Sequence, residues 1–177
     1  MILIALGSNL NGPWGTPKQT LGHALKSLCA CGIKESRCSR LFYSKPYGRK
    51  RQPPFVNAVA RIETRLAPAA LMRRLHDIEK AAGRKRRQRW GPRPLDIDLL
   101  AYHNIIVNSP NMRHWGKVRR HALTLPHPDL HRRPFVLAPL REIEPFWHHP
   151  ITSRTPHQML RAIILKGDGS IIGCEDV

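Results

Sequence analysis

The amino-acid sequence predicts an α+β fold, in which a largely antiparallel sheet is covered by helices. Three observations support this prediction. Stretches with strand and helix patterns follow one another in the order βαββαβ, with additions at the C-terminal end. The 177 residues suffice for one domain with a sizeable core, and the apolar fraction of 41% is typical of a globular chain. We therefore expect one domain over residues 1–177, with a core of about residues 1–165 and a tail over residues 166–177.

The predicted strands are apolar runs bounded by turn residues. The first run ends at Gly7-Ser8-Asn9, and a later one begins after a segment, residues 44–54, whose prolines and glycine exclude regular structure. The strand predictions cover residues 1–6, 33–43, 55–64 and 105–108, together with an alternating stretch that begins at Leu95.

Each predicted helix begins at a proline and buries one apolar face. Thr16-Pro17 and Thr155-Pro156 place a capping threonine before a proline at the first helical position, and Pro68 begins another helix. Gly32 and Gly83 predict where the first two helices end. The apolar faces contain Leu21, Ala24, Leu25 and Leu28 in the first helix, Leu71, Leu75, Ile78 and Ala82 in the second, and Met159, Leu160, Ile163 and Ile164 in the last.

The stretch over residues 89–100, RWGPRPLDIDLL, carries the strongest chemical signal. In a strand, residues two apart share a face at roughly 6–7 Å, so Asp96 and Asp98 stand side by side while their apolar neighbours are buried. Such like charges need a cation, and Mg²⁺ suits them because it prefers carboxylate and phosphate oxygens. Arg93 and the arginines upstream offer donors to phosphate groups. The alternative is that both aspartates are solvated charges on an exposed sheet face.

The same stretch resembles the signature of 6-hydroxymethyl-7,8-dihydropterin pyrophosphokinase, the folate-pathway enzyme family HPPK. The resemblance is carried by Trp90-Gly91-Pro92-Arg93-x-Leu95-Asp96-x-Asp98, and it extends to the N-terminal A-x-GSNL and to segments over residues 44–57 and 124–140. It implies a ferredoxin-like core and transfer of pyrophosphate from ATP to 6-hydroxymethyl-7,8-dihydropterin, with release of AMP. It also implies two Mg²⁺ ions, held by Asp96 and Asp98.

The resemblance implies further roles for individual side chains. Arginines that neutralise charge during the transfer would be Arg84, Arg86 and Arg93, of which the first two lie in a basic loop that closes over ATP. The implied ATP-binding residues are Glu79, Arg84, Trp90, Arg93, Thr124, His127 and Arg133. The implied pterin-binding residues are Ser44, Pro46, Tyr47, Phe55, Asn57 and Phe135, with the two phenylalanines stacking on opposite faces of the ring.

Several positions depart from the family pattern or have a plainer interpretation. Arg51 stands where the family often has an acidic residue, and Ala122 stands where some members have a nucleotide-binding arginine, for which Arg119 and Arg120 are the nearby candidates. The basic loop is about one residue short, so Arg87 is an alternative to Arg86. Without the resemblance, Glu79 would be a solvated charge at a helix end, Asn57 a polar residue on an exposed strand face, and Phe135 a core residue.

The net charge of +18 indicates polyanionic partners, either nucleic acid or phosphorylated small molecules. The paired aspartates favour small-molecule substrates; a basic nucleic-acid-binding domain and a diverged pterin-binding homologue without activity are the alternatives. No apolar run approaches the length of a membrane span, and no signal peptide is evident, so we expect a cytoplasmic monomer without a membrane partner. The cysteine spacing and the His127/His131 pair do not predict a zinc site.

Overall fold

The computed structural model describes residues 1–46, 51–85, 91–108, 123–163 and 171–176. Within these ranges the chain forms an antiparallel sheet of six strands together with four α-helices. In chain order the elements are β1 (Ile2–Ser8), α1 (Pro17–Ala30), β2 (Lys34–Cys38), β3 (Leu41–Ser44), β4 (Phe55–Glu63), α2 (Pro68–Ala81), β5 (Asp96–Tyr102), α3 (Pro134–Ile143), α4 (Pro156–Ala162) and β6 (Ile171–Glu175). This is the α+β architecture that the sequence predicts.

The sheet has β1 near its centre, between β4 and β5. The strand order is β5-β1-β4-β3-β6, and β2 also pairs with β4. The register places Gly7 of β1 opposite Asn57 of β4 on one side and opposite Asp96 of β5 on the other. Because neighbouring strands lie about 4.8 Å apart, Asn57 and Asp96 are separated by about 10 Å across the sheet.

The two faces of the sheet bury two separate apolar cores. Side chains alternate along β1, so Ile4 packs into one core and Leu3 into the other. Helices α1 and α2 cover the first core, while α3 and α4 cover the second. Asp96, Asp98 and Asn57 have the strand parity of the second face, and this face carries the candidate site.

Local sequence signals account for the ends of the helices. Thr16 and Thr155 each form a capping box with the glutamine three residues later, before a proline at the first helical position. Gly83 follows α2 with a φ of 86°, a left-handed conformation that glycine adopts without steric cost. The turn ends the helix immediately before Arg84, whose backbone N–H donates to the Glu79 carbonyl at 3.0 Å.

Two of the predicted strands differ from those observed. The single strand expected over residues 33–43 is divided into β2 and β3, because the buried Ser39 hydroxyl donates to the Arg40 carbonyl at 2.8 Å and accepts from the Val59 amide at 3.0 Å. These side-chain bonds compete with regular pairing. The strand expected over residues 105–108 is reduced to an isolated bridge between Val107 and Leu125.

The C-terminal half contains two elements that the sequence analysis does not predict. Helix α3 forms although Pro139 lies inside it, since its face of Val136, Leu137, Leu140 and Ile143 is buried against the sheet. The expected tail contains β6, which pairs with β3 and accepts a 2.5 Å hydrogen bond at Glu175 from the Tyr43 hydroxyl. In the part of the chain that the structure describes, no helix is long and apolar enough to cross a bilayer.

Replacing Leu75 tests the packing of α2 on the sheet. Leu75 is fully buried in the first core, so Leu75→Ala should lower the free energy of unfolding by about 2–5 kcal/mol through lost burial and the cavity that remains. Urea unfolding monitored by circular dichroism would measure this change.

Arg74→Ala is the matched control, because Arg74 lies beside Leu75 on the same helix but is half exposed, with only a 3.9 Å ion pair to Asp77. Its cost should stay below about 1 kcal/mol. Equal losses in the two variants would contradict the placement of this helix.

Candidate active site

Asp96 and Asp98 stand side by side on β5, as their alternation with buried residues predicts. Their side chains are 27% and 30% exposed, whereas Ile97 and Leu99 between and after them are buried. Both carboxylates line a cavity over the second face of the sheet, close to the start of α3. The alternative of two solvated charges on an open face is therefore wrong.

Asp96 is held by arginines from two different segments. The Arg84 guanidinium donates to Oδ1 at 2.5 Å, and the Arg93 guanidinium donates to Oδ2 at 2.9 Å. Arg93 also donates from Nε to the Gly91 carbonyl at 3.1 Å, which fixes the direction of its side chain. The arginines that would neutralise a triphosphate thus lie against the carboxylate that would hold its metal.

Asp98 has a separate cationic partner from the segment before α3. Arg133 donates to Asp98 Oδ2 at 2.7 Å, and His127 Nε2 lies 3.7 Å from the same oxygen. Although burial opposes its ionisation, the neighbouring His127 and Arg133 lower the pKa of Asp98 to about 2. Burial lowers the pKa of His127, so Arg133 is the permanent positive partner of Asp98 at neutral pH.

Glu79 lies beneath β5 and links it to the end of α2. It is 3% exposed, and its Oε1 accepts hydrogen bonds from the Ile97 amide, at 2.7 Å, and from Arg84. Its burial raises the pKa of Glu79 to about 7, against a usual value of 4.5. The interpretation of Glu79 as a solvated helix-end charge is wrong, because this carboxylate anchors the strand segment between the two aspartates.

The other end of the cavity is built from β3, β4 and the start of α3. Asn57 is 4% exposed, and its Nδ2 donates to the Phe42 carbonyl at 3.1 Å and to Ser44 Oγ at 3.0 Å. A Cβ on Gly7 would stand 3.4 Å from Asn57 Oδ1, so glycine leaves this oxygen open. The interpretation of Asn57 as an exposed polar residue is wrong.

Aromatic side chains line the same end. Phe55 and Phe135 both face the cavity and are both partly exposed. The Arg133 guanidinium carbon lies 5.9 Å from the centroid of the Phe135 ring, within range of a cation–π contact. Phe135 is therefore more than a core residue, since it joins the aromatic end of the cavity to the charged end.

The structure brings most of the predicted site residues together. Those that line the cavity are Ser44, Phe55, Asn57, Arg93, Asp96, Asp98, Arg133 and Phe135. Pro46 and Thr124 are buried and do not line it. Arg84 and His127 contact the aspartates that line it, and Glu79 contacts Arg84 from behind. Tyr47, Arg86, Arg87, Trp90, Arg119, Arg120 and Ala122 lie outside the described residues.

Sequence reasoning missed several lining residues. Gly7 and Lys45 line the cavity. The sequence analysis places Gly7 in a turn and in the A-x-GSNL motif, and Lys45 inside the Ser44-x-Pro46 segment, but assigns neither to the site. Both lie in segments that carry the family resemblance, and this position is the signal that could have identified them as site residues. Ala5, Leu6 and Val136 also contribute to the wall, but nothing in their apolar patterns separates them from ordinary core residues.

The donor set fits a hard cation that brings part of its own coordination shell. Among the residues that the structure describes, no group of three or more His, Cys, Asp or Glu side chains is arranged to hold a metal. Two adjacent carboxylates, one of them with a pKa of about 2, can supply oxygen ligands to Mg²⁺ while phosphates and waters supply the others. This arrangement suits a metal–nucleotide complex.

Comparison with known proteins identifies the family. Residues 3–145 match the family model described as 7,8-dihydro-6-hydroxymethylpterin-pyrophosphokinase (HPPK). The chain belongs to the HPPK family. The relatives below carry the name 2-amino-4-hydroxy-6-hydroxymethyldihydropteridine pyrophosphokinase. The one from Haemophilus influenzae is 45% identical over 141 residues, which are 79% of this chain and 79% of that protein. The one from Pseudomonas aeruginosa is 34% identical over 169 residues, which are 94% of this chain and 93% of that protein.

Solved structures support the same fold. Plasmodium falciparum HPPK-DHPS wild type matches with a TM-score of 0.61 at 12% identity, over 91% of this chain and 44% of that chain. The complex of that protein with SDX-DHP also has a TM-score of 0.61, at 13% identity, over 91% of this chain and 43% of that chain. This chain thus spans less than half the length of these solved chains. The predicted α+β HPPK fold is confirmed, and the family does not favour a nucleic-acid-binding domain.

Glu79→Gln tests the buried carboxylate. Because its pKa is raised to about 7, Glu79 contributes stability that is complete below about pH 4.5 and is lost as the pH rises through 7. Glutamine keeps an acceptor for the Ile97 amide and carries no charge. We expect the variant to exceed the parent chain in free energy of unfolding by up to about 3 kcal/mol near pH 8, and to match it near pH 4.5.

Denaturant unfolding across this pH range would measure the difference. Glu63→Gln is the control, because Glu63 is exposed at the end of β4 and the same substitution there should not reproduce the gain in stability near pH 8. A Glu79→Gln chain that is less stable than the parent chain near pH 8 would contradict the interpretation.

Proposed function

We propose that this chain transfers pyrophosphate from ATP to 6-hydroxymethyl-7,8-dihydropterin, giving the pterin diphosphate and AMP, in folate synthesis. The observation that carries the proposal is one cavity with two different ends. Asp96, Asp98 and Arg93 form a charged end, while Phe55 and Asn57 form an aromatic end about 10 Å away across Gly7. The names of the relatives support the same reaction.

The aromatic end suits a flat bicyclic substrate with a polar edge. Phe55 and Phe135 would stack on the pterin ring, and Asn57 would pair with its edge through Oδ1, since Nδ2 already donates to Ser44 and the Phe42 carbonyl. Ser44, Pro46 and Tyr47 would complete this end. The buried amide of Asn57 is fixed before the substrate arrives, so its pairing is selective for the substrate edge.

The charged end suits the triphosphate of ATP. Asp96 and Asp98 would hold two Mg²⁺ ions, which when bound would neutralise the triphosphate and orient it. Arg93 and Arg133 now pair with these carboxylates at 2.7–2.9 Å, so the same guanidinium groups lie where phosphate oxygens would enter. Glu79, Arg84, Trp90, Thr124 and His127 would complete the ATP site.

The transfer depends on alignment and charge stabilisation. The hydroxymethyl oxygen of the pterin attacks the β-phosphorus of ATP and releases its proton to solvent water. The bond between the β-phosphorus and the oxygen that bridges it to the α-phosphorus breaks, and its electron pair leaves with AMP. Arg84, Arg86 and Arg93 would stabilise the charge that develops on the phosphate oxygens.

The proposal extends to the state of the chain in the cell. We propose a monomer in the cytoplasm that acts as one domain over residues 1–177 and needs no macromolecular partner. The packing of the two apolar cores on opposite faces of one sheet supports the single domain.

Asp96→Asn and Asp98→Asn test the charged end. AMP formation from ATP and Mg²⁺ should depend on the added pterin in the parent chain, and no ADP should form. Each substitution keeps the side-chain volume but removes a charge, so each should lower the rate at least about a hundredfold. Chromatographic separation of AMP and ADP would measure the product formed and the rate of each variant.

Asp77→Asn is the matched control, because this aspartate is exposed on α2 and lies outside the cavity. Its rate should equal that of the parent chain. Pterin-independent nucleotide hydrolysis by the parent chain, or rates in the Asp96 and Asp98 variants within several-fold of the parent rate, would contradict the proposal.

A further inference from the structure

Asn9 joins two segments that carry opposite ends of the cavity. It follows directly after β1, is 2% exposed, and does not line the cavity. The sequence places Asn9 in a turn and in the A-x-GSNL motif, and gives it no role of its own. A buried side-chain amide is costly unless its donors and acceptor are satisfied, so the partners of Asn9 have structural consequences.

One set of partners belongs to the charged end. The Asn9 backbone N–H donates to the Arg93 carbonyl at 3.2 Å, and the Asn9 side-chain Oδ1 accepts from the Arg93 backbone N–H at 2.9 Å. Both backbone polar groups of Arg93 are therefore held by one residue. The Arg93 side chain then donates to Asp96 at 2.9 Å, so Asn9 sets the position from which this arginine reaches the carboxylate.

The other set belongs to the aromatic end. Asn9 Nδ2 donates to the Pro53 carbonyl at 3.1 Å and to Gln52 Oε1 at 3.2 Å. Pro53 stands two residues before Phe55, which lines the cavity. The amide orientation is unambiguous, because the Arg93 amide can only donate and the Pro53 carbonyl can only accept.

We propose that Asn9 is a positioning residue for the transfer, holding Arg93 at a fixed place relative to the segment that leads into Phe55. This inference rests on the proposed function, because it assigns the two segments to ATP and pterin. The Asn9 side chain, with one acceptor and two donors on a short stem, binds the Arg93 N–H on one side and Gln52 and the Pro53 carbonyl on the other. An error of about 1 Å between reacting groups can cost a hundredfold in rate, so this link affects the chemical step.

Asn9→Asp separates the two sets of bonds. Aspartate keeps an acceptor for the Arg93 amide but replaces the donors opposite the Pro53 carbonyl by an oxygen. We expect kcat to fall about tenfold or more, while the KM for ATP stays within about threefold because Arg93 remains tethered. Steady-state kinetics of pterin-dependent AMP formation, with each substrate varied in turn, would measure this split.

Ser39→Ala is the control for general destabilisation. Ser39 is also a buried polar link between two strands, through the Val59 amide and the Arg40 carbonyl, but it lies outside the cavity. It should lower thermal stability and leave kcat unchanged at a temperature where both variants are folded. Asn9→Leu, which lacks every side-chain bond, should lose kcat and also raise the KM for ATP.

The outcomes separate the inference from the proposed function. A parent chain without pterin-dependent AMP formation would overturn both. An active parent chain with unchanged kcat in Asn9→Asp, or with the same kcat loss in Ser39→Ala, would overturn the positioning role and leave the proposed function standing.

Discussion

The structure of this site depends on the repulsion between two carboxylates that β5 places on one face. Asp96 and Asp98 cannot separate, because the strand fixes residues two apart on the same side, and the face is too covered for water alone to solvate both. Arginines from separate parts of the chain therefore converge on them. Arg84 arrives from the end of α2, Arg93 from the segment before β5, and Arg133 from the segment before α3. The two adjacent carboxylates are thus stabilised by arginines from three segments of the chain.

The sheet register joins this charged cluster to the aromatic end of the same cavity. Gly7 lies between Asp96 and Asn57 in neighbouring strands, and the missing side chain leaves the floor of the cavity open between them. Phe135 and Arg133 lie together at the start of α3 and contact each other. The aromatic and charged ends are consequently parts of one continuous surface, in keeping with a reaction that needs alignment more than covalent chemistry.

Sequence reasoning succeeded where the determining physics is local. The alternation in β5 gives the placement of Asp96 and Asp98 directly, since strand periodicity depends only on neighbouring residues. It failed where the environment of a side chain depends on partners distant in the sequence. Glu79 is buried against β5, and Asn57 is held by Ser44 and the Phe42 carbonyl. The strand break at Ser39 depends on its hydrogen bond with the Val59 amide. These contacts join residues 13–20 positions apart, and no pattern within one element reports them.

The central claim is that the Asp96–Asp98 pair holds divalent cations once the nucleotide enters and the arginines pair with phosphate instead. Electron paramagnetic resonance of Mn²⁺, titrated into the chain with a non-hydrolysable ATP analogue, tests this most directly. The account predicts that protein-bound Mn²⁺ appears only with the analogue and is lost in the Asp96→Asn/Asp98→Asn double variant. Equal Mn²⁺ binding by the parent chain and the double variant would contradict it.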